Sequence, residues 1–82
     1  LVTTSDTWSL NEVDTQQNGN LIYLGEETID GRWRITRVQR VGQYNTMNYA
    51  TTKNNPSASE YDFPTAWTNH ETLDYGRVSE AL

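Results

Sequence analysis

The sequence predicts a mainly β fold. It reads as a small antiparallel, sandwich-like sheet, a β-meander plus a C-terminal strand, with one short helix and an extended N-terminal arm. Three observations carry this. Runs of strand-forming residues recur with apolar/polar alternation, as in Arg32–Val41 and Thr46–Thr51. Turn chemistry separates them, most clearly at Asp30-Gly31. One proline-initiated stretch, beginning at Pro64, has the composition of a short helix.

Residues 1–18 are polar and Thr-rich, with Val2, Trp8, Leu10 and Val13 as the apolar anchors. They read as an extended arm leading into a β domain over residues 19–82. "NLIYL" (20–24) is a continuous apolar strand, and Gly25 after it suggests a bulge. Asp30-Gly31 fits a two-residue type I′ hairpin, which places Ile29 opposite Arg32 and Glu27 opposite Arg34. On the return strand Trp33 and Ile35 point one way, and Arg32, Arg34, Thr36 and Arg40 the other. Val38 breaks that phase and predicts a bulge or a two-sided strand. "VGQYN" (41–45) is a turn, and Met47 and Tyr49 share one face of the next strand. "KNNPSASEYDFP" (53–64) is a loop by composition, the helix "PTAWTNHET" follows, and Leu73–Val78 returns to a strand. Trp33, Ile35, Tyr49, Trp67 and Tyr75 are the expected core.

An 82-residue chain with 34% hydrophobic residues supports one thin core. Three Trp and five Tyr compensate, since each large ring buries about 150–250 Å². There is no cysteine, so no disulfide staples the fold, and docking among neighbours is the remaining route to full order. No signal peptide and no apolar run of membrane-spanning length is expected. The net charge of −5 is segregated: residues 31–59 carry five cations and no acid, between acidic flanks. Those flanks would repel phosphates, which argues against nucleic acid as a partner. The arginines of the hairpin read either as the wet face of a strand, paired with acids across it, or as a basic stripe for a partner.

Catalysis finds little support. His70 is the only histidine, no nucleophile is framed around it, and Glu26/Glu27 point to opposite faces of a strand. Asp14–Asn20 has the opening of a calcium loop but Gly25 at its twelfth position, so no metal site and no cofactor is expected. Sugar binding is a rival reading, with Trp8, Tyr44, Tyr61, Trp67 and Tyr75 as the available rings.

"IYLGEETIDGRWRITRV", "NYATTKNNP" and "YDFPTAWTNHETLDYG" together resemble small virion proteins encoded by tailed bacteriophages. The resemblance covers residues 20–78. It rests on a YxG strand, a W-x-I strand, a YAT…NNP segment and an AWTN…TLxYG close, with His70 where that pattern often has Arg. It implies a structural protein located in the virion and not an enzyme. Its partners would be other virion proteins of capsid, portal or tail, met as a homo-oligomer or in many copies, without membrane or nucleic acid. Trp8, Leu10, Arg32, Arg34 and Arg40 are the residues expected to meet those neighbours. A carbohydrate-binding module aiding host adsorption, with a glycan as partner, is the alternative.

Overall fold

The computed structural model describes residues 7–82. They form one four-stranded antiparallel sheet with two short helices. Strand β1 (Ser9–Gln16), β2 (Leu21–Glu27), β3 (Trp33–Val41) and β4 (Tyr44–Ala50) lie in the order β1-β2-β3-β4, an uninterrupted meander. Helix α1 (Phe63–Thr68) packs on β2 and β3, and α2 (Val78–Ala81) on β4.

Within the described part of the expected arm, Ser9–Gln16 is a strand. Residues 9–16 pair along β2, from Ser9 opposite Glu27 to Gln16 opposite Leu21. The sequence hides this strand because most of it is exposed. Backbone pairing holds it, so no alternation of apolar residues is needed. The expected bulge also moves. β2 runs unbroken through Gly25, and the register shifts in β1 instead, between Leu10 and Glu12. The extra residue there, Asn11, donates its side-chain N–H to the Glu27 carboxylate.

The β2–β3 hairpin differs by one residue from the type I′ expectation. Glu27 faces Trp33, and Glu26 faces Arg34. Gly31 N–H donates to Thr28 C=O at 3.1 Å, and Thr28 N–H to Arg32 C=O at 2.9 Å. Asp30 keeps a negative φ while Gly31 has φ +91. That is a three-residue loop with the left-handed residue last, which also suits Asp-Gly. At the β3–β4 turn Val41 faces Tyr44, and Gly42 at φ +63 leads the two-residue loop, a type II′ pattern.

Alternation sorts the sheet into two sides. Tyr23, Trp33, Ile35 and Ala50 lie on the side that α1 covers. With Ala58, Phe63 and Ala66 they make the core, and Leu21, Tyr61, Trp67, Leu73 and Tyr75 pack against it. Trp33 anchors the rim by donating its indole N–H to Tyr61 C=O at 3.0 Å. Tyr49, expected with these rings, stands opposite Thr36 on the other side of the sheet and is half-buried.

α1 begins where Asp62 accepts the Thr65 N–H at 3.0 Å, with Pro64 in the first turn. The Thr65 hydroxyl and N–H hold the Asp62 carboxyl below its ordinary value. The cap therefore contributes fully above the ordinary carboxylate range and is lost as pH falls through the lowered folded value. The helix ends at Thr68, earlier than its composition suggests.

The expected C-terminal strand shrinks to a single bridge between Tyr49 and Gly76, followed by the second helix. What holds Asp74–Gly76 is the pair Asn54-Asn55. The buried Asn55 donates to Thr51 C=O and Asp74 C=O, both at 3.0 Å, and accepts the Asp74 N–H at 2.7 Å. Asn54 accepts the Thr51 N–H at 2.9 Å and donates to Tyr49 C=O at 3.0 Å. Each buried group left unpaired here would cost about 1–3 kcal/mol.

Gly25 sets the distance between α1 and the sheet. A Cβ on it would lie 2.8 Å from the rings of both Phe63 and Trp67. Gly25→Ala is expected to destabilise the fold by about 1–3 kcal/mol, read as a lower denaturant midpoint with weakened near-UV tryptophan dichroism. An unchanged midpoint would refute this seam.

Candidate functional site

The candidate surface is the side of the sheet away from α1. Two cross-strand rows run over it. One is Val13, Leu24, Thr36 and Tyr49, and the other is Thr15, Ile22, Val38 and Met47. Val38, which broke the sequence alternation, belongs to the second row, so β3 is two-sided and carries no bulge. Leu10 joins at the β1 edge, opposite Glu26. Leu10 is 56% exposed, Val13 52% and Met47 51%. Ile22, Leu24, Val38 and Tyr49 are half-buried. α2 packs on β4, and the buried Thr51 donates its hydroxyl to Ala81 C=O just past the end of that strand.

A polar corner closes the hairpin end of this face. The Arg34 guanidinium lies 4.3 Å from the Trp8 ring centroid, and Arg32 lies 5.8 Å from it. Arg34 also donates to Glu26 Oε1 from Nε at 3.1 Å and from Nη2 at 2.9 Å. Arg32 meets Asp30 at 3.2 Å, and the Thr28 hydroxyl also donates to Asp30. The hydroxyl of Thr28, then the Arg32 charge, keeps the Asp30 carboxyl below its ordinary value. These arginines therefore have acidic and aromatic partners within the chain. Arg40 sits at the far end of the strand, exposed, and donates to Gly42 C=O at 3.2 Å.

Trp8, Leu10, Arg32 and Arg34 are thus brought together along the hairpin end and the β1 edge, and Arg40 is not. Arg37, absent from the expected stripe, lies on the covered side with its guanidinium 4.7 Å from the Tyr75 ring centroid. Period two places it there, on the same side as Trp33 and Ile35.

The rings available for sugar stacking do not form one platform. Trp8, Trp33 and Tyr61 line an open cleft of about 510 Å³ beside Arg32 and Arg34. Trp67 and Tyr75 pack against the core, and Tyr44, 78% exposed, stands at the opposite end of β3. Val2 and the rest of residues 1–6 lie outside the described residues. No helix among the described residues is long and apolar enough to cross a membrane. No protein-family model, curated protein or solved structure matches this chain.

Trp8→Ala removes the ring from the Arg34–Glu26 pair. It is expected to lower stability by about 0.5–1 kcal/mol in chemical denaturation, the size of a partly exposed cation–π contact. A loss beyond about 3 kcal/mol would instead mark Trp8 as a core residue.

Proposed function

We propose that this chain is a structural subunit of a tailed-phage virion, docking on neighbouring capsid or tail proteins through its open sheet face and β1 edge. The observation that carries the reading is the pair of rows, apolar save Thr15 and the buried Thr36, on the side that α1 leaves uncovered, with Leu10, Val13 and Met47 each more than half exposed. Scattered exposed apolar side chains are ordinary, but contiguous rows of them on one face mark interaction surfaces. β1 adds an edge along which an extended segment of a neighbour can pair. The sequence resemblance over residues 20–78 supplies the virion setting, and the absence of cysteine suits a subunit whose order is completed by its neighbours.

The test is made on particles. Mass spectrometry of purified virions is expected to find the chain in fixed stoichiometry with the major structural proteins. A Val13→Lys/Met47→Lys chain is expected to fold with stability changed by about 0.5 kcal/mol or less per site, as exposed substitutions usually are, yet to be lost from the particle. Absence of the native chain from virions would overturn the proposal. Normal incorporation of the double variant would overturn the role of this face.

A further inference from the structure

Asp14 and His70 are 56 positions apart in the chain, yet His70 Nε2 lies 2.8 Å from Asp14 Oδ2. Asp14 projects from β1, and His70 follows α1. The imidazole is held from every side. It stacks on Trp67 with centroids 4.3 Å apart and planes at 12°, and it meets Tyr23 edge-on at 4.6 Å. Its Nδ1 is 2.6 Å from Trp67 C=O, and the Tyr75 hydroxyl donates to His70 C=O at 2.6 Å. Burial keeps that phenol protonated, well above its ordinary range.

These contacts choose the tautomer. A carbonyl can only accept, so Nδ1 carries a proton, and the ring nitrogen left for other work is Nε2. A histidine that gives one N–H to a backbone carbonyl and turns the other nitrogen outward is in the arrangement usual for metal ligation. Nε2 faces the Asp14 carboxylate at 2.8 Å, a place that either a proton or a metal ion can fill. Glu71 brings a second carboxylate, and the ligand atoms of Asp14, His70 and Glu71 all lie within 4.8 Å of one another.

We propose that Asp14, His70 and Glu71 form a binding site for a divalent transition metal of the zinc class. One imidazole nitrogen and two carboxylate oxygens, with no thiolate, suit zinc and its neighbours better than calcium, which takes six to eight oxygens. Tetrahedral ligand atoms about 2.0–2.2 Å from zinc lie about 3.3–3.6 Å apart, so the 2.8 Å Asp14–His70 separation needs to open by about 0.5–0.8 Å. The three ligands leave room for water to complete the shell. The metal would tie β1 to the segment that follows α1, a cross-link between sheet and helix in a chain without disulfides.

Calorimetric titration of the metal-free full chain with zinc chloride is expected to show one site. The melting temperature is expected to rise by several degrees with zinc, to fall back with EDTA, and not to respond to calcium. Glu71 is exposed, so Glu71→Gln is expected to leave the metal-free melting temperature unchanged and to weaken zinc binding at least tenfold. Asp14→Asn is expected to weaken it similarly, and Glu60→Gln to leave it intact. A proton shared by His70 and Asp14 would need no third ligand. No zinc-dependent heat, or affinity unchanged in Glu71→Gln, would therefore overturn the site in favour of a plain ion pair.

Discussion

The approach of Phe63 and Trp67 to the backbone of Gly25 is the constraint on which the rest of the structure depends. β2 is the second strand of four, and its fifth residue, Gly25, offers no side chain on the helix side. Two rings, stacked 6.1 Å apart, occupy the space a Cβ would need. In a chain poor in aliphatic residues, aromatic area is what the core can bury, and a flat glycine site lets two rings lie against the sheet. Trp33, Ile35 and Tyr23 then pack around them, and Trp33 reaches Tyr61 at the rim.

Committing the rings to one side has a cost on the other. The short helices cannot cover both faces, so Val13, Leu24, Val38, Met47 and Tyr49 are left partly or largely open. The arginines follow the same division. Arg34 is neutralised by Glu26 and stacked by Trp8 at the edge of the open face, while Arg37 is drawn to the covered side over Tyr75. The basic centre of the sequence is thereby dispersed over two sides, with Arg32 and Arg34 ion-paired within the molecule and Arg37 set over a ring. That leaves apolar contact, rather than charge, as the chief attraction the open face can offer.

Much of the sheet was legible in the residues. Alternation in β3 places Trp33 and Ile35 together, and Asp62 with Pro64 marks the start of α1, because both signals are local. Pairing that is not local was hidden. β1 has no apolar period to read, since β2 supplies its order. Leu73–Val78 alternates like a strand, but its hydrogen bonds go to Asn54, Asn55 and one bridge at Gly76. Asp30-Gly31 announces a turn without deciding between a two- and a three-residue loop, and the register moved by one residue with that choice. The residue type of Tyr49 suggests the core, whereas its register opposite Thr36 decides its side. The meeting of Asp14 with His70 depends on where α1 ends over β1, and no spacing in the sequence encodes it. Even the loop that seemed to begin at Asp14 is a turn. Gln17, Asn18 and Gly19 all have positive φ there, and the Asp14 carboxylate bonds Gln16 and His70.

The ring seam at Gly25 can be read without changing a residue. In the carbon–proton NMR spectrum of the isolated chain, a Gly25 Hα packed against the Phe63 and Trp67 rings is expected to be displaced by ring currents from the Hα signals of Gly19, Gly31 and Gly42, whose Cβ directions open to solvent. It should show nuclear Overhauser contacts to protons of both rings. A Gly25 Hα at the same shift as those three glycines, without ring contacts, would mean that α1 does not close on the sheet, and the account built on that closure would be wrong.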